Sequence, residues 1–221
     1  MKPVTVVALL MALAIPLASA ERLAPGVLLV ADRKLVDPNF SQTVIVIADH
    51  SEEGTLGLIL NRRTELPLSQ VLEKWKEAAR VRDPVFLGGP VGRTGMFALI
   101  RSKTPPEGAK RVVGDIHLIT DRAGLAPHLS EGQTRVRVYA GYTGWAADQL
   151  ESEMTEGAWH VLPANPKMVF DDDPETLWQR LSRQAEMQLA ERYRTSLYPT
   201  PWTVIKCLGS PCSSLARMPP M

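Results

Sequence analysis

The chain has 221 residues, a formal net charge of +1 at pH 7, 45% hydrophobic residues and 22% charged residues. This composition excludes a largely disordered chain, because disorder goes with low hydrophobicity and high net charge. The near balance of 25 Lys and Arg against 24 Asp and Glu excludes a strong overall field that would attract nucleic acid or an anionic membrane. Two cysteines exclude both a multi-disulfide scaffold and a four-cysteine zinc site.

The first twenty residues have the three parts of a secretory signal peptide. Lys2 gives a positive start, residues 4–18 form an uncharged apolar run, and Ala18-Ser19-Ala20 is the small-x-small pattern that signal peptidases cut. The alternative is a membrane anchor, but a run of about 15 residues is shorter than the roughly 20 that a spanning helix needs. We therefore predict cleavage after Ala20, no membrane span in the mature chain, and a periplasmic or secreted location.

Seven later segments have the β-branched and apolar composition of strands. They are residues 26–31, 43–48, 55–60, 84–87, 95–100, 112–119 and 134–140. Residues 49–54 have the length and the turn chemistry of a hairpin loop between the second and third strands. The last segment alternates apolar and polar residues, which predicts one buried and one solvated face.

Four helices are predicted between and after these strands. Apolar spacing favours one over residues 68–79, and a shorter one lies within residues 121–129, where Pro127 weakens the pattern. A third runs from about residue 145 to 155, with Thr143 as its N-cap. The last begins at Asp173-Pro174, a capping residue followed by proline at the first helical position. Along it, an apolar stripe on one face is predicted from Leu177, Leu181, Ala185 and Leu189, which recur every four residues. We expect a folded domain over residues 21–184 and a helix end with an irregular tail over residues 185–221.

Both cysteines, Cys207 and Cys212, lie in this tail. In an oxidising compartment they could close a small loop, since Gly209 and Pro211 favour a turn between them. The alternative is two uninvolved thiols. Their spacing is not that of a redox motif.

The chain carries several further motifs in a definite order. They are Gly26-Val-Leu-Leu-Val-Ala31, Leu35-Val-Asp-Pro-Asn-Phe40, Gly54-Thr-Leu-Gly-Leu-Ile-Leu-Asn-Arg62, Phe86-Leu-Gly-Gly-Pro-Val91 and Gly141-Tyr-Thr-Gly-Trp-Ala-Ala-Asp-Gln-Leu-Glu151. Together they resemble the YqgE/AlgH family over about residues 23–181. The resemblance implies an α+β fold: a single domain whose mixed, mainly antiparallel sheet curls into a pseudo-barrel with flanking helices. It brings no established catalytic residues, although family members are often labelled transcriptional regulators. In the family, proline usually follows the Asn-Arg pair, and this chain has Arg63 in its place. The chain also differs in its signal peptide and its C-terminal extension.

The candidate site residues come from short motifs that each have a structural alternative. The segment from Gly141 to Gly144 predicts a strand-to-helix turn whose backbone N–H groups could hold a phosphate or carboxylate. The alternative is a tight turn with a capping threonine and no ligand. The pair Gly88-Gly89 is a second turn of this kind. His50 stands beside acidic residues, which favours a solvated hairpin over a metal site. The candidate ligand-binding residues are His50, Asn61, Arg62, Gly88, Gly89, Gly141, Tyr142, Thr143, Gly144 and Trp145.

Three functions remain open at this level. No nucleophile elbow, zinc motif or cofactor fingerprint occurs in the sequence, so we predict no catalytic residues, no metal and no cofactor. This favours a non-catalytic binding or regulatory protein of the cell envelope, with an unknown protein or a small anionic ligand as its partner. The second function is an enzyme that acts on an anionic substrate near Gly141 to Trp145. The third is the family's regulatory role in the cytoplasm, but scattered basic pairs without a helix-turn-helix pattern argue against direct binding of nucleic acid.

Overall fold

The computed structural model describes residues 23–79, 81–129 and 135–197. The predicted signal peptide, residues 1–20, and the cysteine pair, Cys207 and Cys212, lie outside these residues. The chain divides into two units, residues 1–185 and 186–221. The predicted domain boundary at residue 184 stays a prediction.

The first unit is an α+β domain built on one curled, mainly antiparallel sheet, which confirms the predicted fold class. Ten strands occur in the described residues: β1 (Val27–Ala31), β2 (Val44–Ser51), β3 (Gly54–Ile59), β4 (Arg63–Pro67), β5 (Pro84–Leu87), β6 (Val91–Arg101), β7 (Lys110–Val113), β8 (Ile116–Ile119), β9 (Arg135–Ala146) and β10 (Trp159–Pro163). The main path of the sheet is β10-β1-β2-β3-β9-β6-β8-β7, with β4 and β5 attached to it through β9.

Five helices accompany the sheet in the described residues. They are α1 (Leu68–Val71), α2 (Arg122–Leu125), α3 (Gln149–Thr155), α4 (Pro166–Val169) and α5 (Pro174–Leu197). In the first unit, Leu177, Leu181 and Ala185 on α5 are buried, as their spacing predicts. Trp178 on the same helix donates its indole N–H to the carbonyl of Ala31, at 2.8 Å. Within the described part of the chain, no helix is both long enough and apolar enough to cross a membrane.

The second unit is described only as far as Leu197, and there it is the end of α5. Met187 and Tyr193 are exposed on it, and Leu189 is 39% exposed. The predicted apolar stripe is therefore wrong at Leu189, since this position is only partly covered.

The sheet divides at β9, which is its longest strand. One edge of β9 pairs with β6 in antiparallel fashion. The other edge pairs first with β5, in parallel at Tyr139 and Ala140, and then with β3 at Thr143 to Ala146. Two strands therefore share one edge of β9, and they separate next to Gly88 and Gly89, which follow β5 directly. This branch point sets the positions of Gly88, Gly89 and Gly141 among the candidate site residues.

The helix predicted over residues 68–79 and the single strand predicted over residues 112–119 are wrong, and two strands, β4 and β10, were not predicted. The helix over residues 68–79 is a single turn, α1, followed by a 3-10 turn at Lys76–Ala78, because Leu72 and Trp75 both leave helical backbone angles. Of the apolar residues that gave this spacing, Leu68 and Leu72 are buried in a second core cluster, whereas Val71 is exposed. The strand over residues 112–119 is a hairpin that turns at Gly114, whose φ of 56° favours glycine. Strand β4 is short, polar and at an edge, so it carries little apolar pattern.

Candidate functional site

The two glycine motifs lie against each other at the branch of the sheet. The N–H of Gly88 donates to the carbonyl of Ala140 at 2.9 Å, and the carbonyl of Gly88 accepts from Ile59 at 3.0 Å. A Cβ on Gly88 would lie 2.2 Å from the carbonyl oxygen of Gly141, and one on Gly89 would lie 2.2 Å from that of Tyr142. These glycines are required because the backbones approach too closely for any side chain.

The segment from Gly141 to Trp145 is a continuation of strand β9. The predicted strand-to-helix turn is therefore wrong, and so is the helix start near Trp145, because α3 begins at Gln149. Thr143 is not an N-cap: its side chain is fully buried within the sheet, and Asp148 precedes the helix instead. Gly144 pairs with Leu56 of β3. The backbone of this segment forms part of the sheet, so it does not present the row of N–H groups that the anion hypothesis requires.

Trp145 belongs to an aromatic cluster that is organised by one carboxylate. The indole N–H groups of Trp145 and Trp159 both donate to Oε2 of Glu153, at 3.0 Å and 2.9 Å. The other oxygen, Oε1, accepts from the side-chain amide of Gln149 at 3.1 Å. Phe40 packs on both tryptophan rings, with centroid distances of 6.2 Å and 5.8 Å. The Gly-Trp-x-x-x-Gln-x-x-x-Glu spacing thus places acceptors on α3 opposite the end of β9.

Asn61 and Arg62 brace the loop that leads into β2. The amide oxygen of Asn61 accepts from the N–H of Val44 at 2.8 Å, and its amide nitrogen donates to the carbonyl of Gln42 at 2.8 Å. Arg62 donates to the carbonyl of Pro38 at 3.1 Å. Burial lowers the pKa of the Arg62 guanidinium, and the nearby charge of Asp37 opposes that shift. These contacts tie both candidate ligand-binding residues to the segment between Pro38 and Val44.

His50 lies near the tip of the β2–β3 hairpin. Its Nδ1 is 2.8 Å from the hydroxyl of Thr55, so one ring nitrogen makes a hydrogen bond across the hairpin. In residues 23–79, 81–129 and 135–197, no three His, Cys, Asp or Glu side chains are grouped so that they could hold a metal ion.

An open cavity of about 400 Å³ lies between this hairpin and the end of β9, and we call it the hairpin groove. It is lined by Asp49, Ser51, Glu53, Gly54, Thr55, Leu56, Val91, Tyr142, Gly144 and Trp145. Two of these residues are acidic and none is basic. Lys110 forms an ion pair with Asp49. The carboxylate of Glu53 has no ion pair among the described residues, which leaves the groove with an unbalanced negative charge.

The structure brings some of the predicted site residues together and separates others. Tyr142, Gly144 and Trp145 line the hairpin groove, and Thr55, the partner of His50, lies in its wall. Gly88, Gly89, Gly141 and Thr143 form the branch of the sheet beneath, whereas Asn61 and Arg62 bind the loop before β2. Asp49 and Glu53 were missed as groove residues, because acidic residues in a hairpin are typical of any solvated turn. Gln149 and Glu153 were missed as well, although their spacing of four on a helix is a signal for side-chain contact.

Tyr139 lies on β9 in the core beside the branch. Its hydroxyl is buried close to the guanidinium of Arg137. Burial raises its pKa to about 12, and the charge of Arg137 partly opposes that rise. The ring packs against Phe86 at a centroid distance of 5.7 Å.

Comparison with known proteins gives the chain its family. The AlgH-like family model matches residues 28–190. The chain belongs to the AlgH-like family. A UPF0301 protein of Streptomyces avermitilis is 40% identical over 171 residues, covering 75% of this chain and 88% of that protein. A UPF0301 protein of Chlorobaculum tepidum is 35% identical over 166 residues, covering 74% and 87%.

Two solved structures share the AlgH-like fold with this chain. The crystal structure of protein DIP2367 from Corynebacterium diphtheriae matches with a TM-score of 0.61 and 26% identity, covering 74% of this chain and 87% of that one. The solution structure of the AlgH protein from Pseudomonas aeruginosa matches with a TM-score of 0.55 and 25% identity, covering 85% and 95%. The family assignment predicted from the motifs is confirmed, and the biochemical activity of the family is uncharacterised.

Proposed function

We propose that this AlgH-like protein is a non-catalytic binding protein of the cell envelope, which takes a positively charged segment of a partner protein in the hairpin groove. The observation that carries the proposal is the carboxylate of Glu53, which lies in the wall of an open groove with no cation paired to it among the described residues. A basic side chain of a partner would supply that missing charge.

The chemistry of the groove suits a Lys or Arg side chain. Tyr142 lines the groove, and aromatic rings attract cations. Its position is fixed from below, since Phe97 packs on it at a centroid distance of 5.2 Å and Gly89 lies against its carbonyl. Each exposed ion pair contributes only about 0.2–1 kcal/mol. We therefore expect modest affinity that falls as salt concentration rises.

The acidic lining disfavours the two alternative functions. An anionic substrate near Gly141 to Trp145 would meet the carboxylates of Asp49 and Glu53, and the phosphates of nucleic acid would be repelled in the same way. A cationic protein segment fits the charge. The envelope location rests on the predicted signal peptide, and N-terminal sequencing of protein recovered from fractions of the native host tests it. A mature start at Glu21 outside the cytoplasm supports the location, and an intact cytosolic chain contradicts it.

The groove is tested with a short fluorescein-labelled Lys-rich peptide, measured by fluorescence anisotropy at low salt. Glu53→Lys reverses the charge of the groove and should weaken binding by about fivefold or more. Glu107→Lys is the matched control, because Glu107 is exposed, lies outside the groove and changes the net charge equally. An acidic peptide of the same length should not bind. Equal losses for the two variants would contradict the proposal, since they would show that only the overall charge matters.

A further inference from the structure

A second cavity, of about 200 Å³, lies between β9, the β4–β5 pair and the start of α5. We call it the arginine pocket, because Arg63, Arg135 and Arg137 line it. Its acidic lining residues are Asp83, Asp171 and Asp172, and Phe86 and Phe170 supply its apolar walls. The hairpin groove shares no lining residue with it.

Arg137 is held in this pocket by two hydrogen bonds and two aromatic rings. It donates from Nη1 to the carbonyl of Val169 at 2.9 Å and from Nη2 to that of Asp171 at 2.8 Å. The guanidinium lies over the rings of Phe86 and Phe170, at 4.4 Å and 5.5 Å from their centroids. Neutral carbonyls and aromatic rings fix its orientation without cancelling its charge. A fixed, partly buried guanidinium is well suited to bind an oxyanion.

Pairing within the pocket leaves an excess of positive charge. Arg135 forms an ion pair with Asp172, and Asp171 pairs with Arg180 at 2.7 Å. Arg63 is exposed and has no ion pair or side-chain hydrogen bond among the described residues. Outside these ion pairs, the charged side chains that line the pocket are two cations, Arg63 and Arg137, and one anion, Asp83. The local balance therefore favours an anion.

We propose that the arginine pocket binds a small oxyanion, a carboxylate or a phosphate group, between Arg63 and Arg137. The pocket is smaller than the about 300 Å³ at which typical ligand cavities begin, so the ligand is small or inserts only its acidic group. Asp83 lies in the same lining, and its negative charge opposes binding of the anion.

Arg63 lines the pocket because of the pairing of β4 with β5. It is the first residue of β4, and it pairs with Phe86 of β5. This register places the exposed cation of Arg63 in the same pocket as the partly buried cation of Arg137.

The test is a titration followed by NMR of the side-chain N–H groups of Arg63 and Arg137. Inorganic phosphate and benzoate are the two probes, and sodium chloride at equal ionic strength is the reference. Arg63→Gln should weaken binding by about tenfold, because a charge-assisted hydrogen bond is lost. Asp83→Asn should strengthen it about twofold, because an opposing exposed charge is removed. Lys103→Gln is the matched control, since Lys103 is exposed and lies outside the pocket.

Each outcome bears on the proposal. Saturable shifts with phosphate alone, benzoate alone or both support the site and identify the class of acid that it takes. Shifts no larger than those with chloride would overturn it. Equal effects of Arg63→Gln and Lys103→Gln would overturn it as well, because they would show a general response to net charge.

Discussion

Replacing Gly141 by alanine tests whether the glycines of this chain serve the branch of the sheet. Gly141 has a φ of 72°, and a Cβ there would lie 2.7 Å from the carbonyl oxygen of Gly89 and 2.8 Å from that of Val91. Both are backbone atoms of neighbouring segments, so neither can move aside as a flexible side chain would. The substitution therefore combines an unfavourable backbone angle with a steric overlap.

The two contributions can be separated with a matched control. Gly157 has a φ of 78°, but a Cβ there would meet nothing within 4 Å. Gly157→Ala should therefore show only the left-handed backbone cost, roughly 1–2 kcal/mol. Gly141→Ala should add an overlap cost of about 1–3 kcal/mol, as overpacking in a core does. The free energy of unfolding should thus fall by about 2–5 kcal/mol in total.

Urea unfolding of the wild type and both variants, followed by far-UV circular dichroism, measures these differences. The slope of free energy against urea should stay constant, because the surface exposed on unfolding does not change. A loss at Gly141 that matches the loss at Gly157 would refute the reasoning. It would mean that the branch has room for a side chain, and the glycines would again be candidates for a ligand cradle.

Three further predictions concern buried polar groups. Tyr139 has a pKa raised to about 12, so its contribution to stability is fully present below about pH 10 and is lost as pH rises towards 12. Tyr139→Phe should remove this loss, which is roughly 2–3 kcal/mol in the free energy of unfolding measured at alkaline pH. An unchanged pH dependence in the variant would contradict the raised pKa. Glu153→Leu should lower the free energy of unfolding by about 2–4 kcal/mol, since two indole N–H groups lose a charged acceptor. It should also alter the near-UV circular dichroism of the tryptophans. Glu151→Leu, at an exposed neighbouring position, should change neither quantity. His117 is 2% exposed, and neither ring nitrogen has a hydrogen-bond partner among the described residues. His117→Leu should therefore raise the free energy of unfolding in urea by about 1 kcal/mol or more. A lower free energy of unfolding in the variant would show that the ring has a polar role.

The sequence predicted those elements whose signals are local. The first three strands are apolar and β-branched, and the helix after Asp173 begins with a cap and a proline, so composition alone locates them. The family motifs predicted the curled α+β sheet, which the structure and its relatives confirm. These features need no knowledge of distant contacts.

The errors come from residues whose role depends on distant contacts. Gly141 and Gly144 favoured a turn, yet they lie within β9, because the backbone of Gly89 packs against the strand there. Asn61 stays a predicted ligand-binding residue, but the sequence did not show that its amide makes hydrogen bonds with Gln42 and Val44 across the loop. The hairpin groove could not be predicted, since Glu53 and Tyr142 are brought together only by the pairing of β3 with β9.

The most direct test of the proposed function is to map where a basic peptide binds. The backbone amide and indole N–H signals of the protein are followed by two-dimensional NMR during titration with the Lys-rich peptide. The account predicts saturable shifts confined to the hairpin groove, with Glu53, Tyr142 and the indole of Trp145 among the largest, and their loss in Glu53→Lys. Saturable shifts elsewhere on the domain, with the groove unchanged, would contradict it.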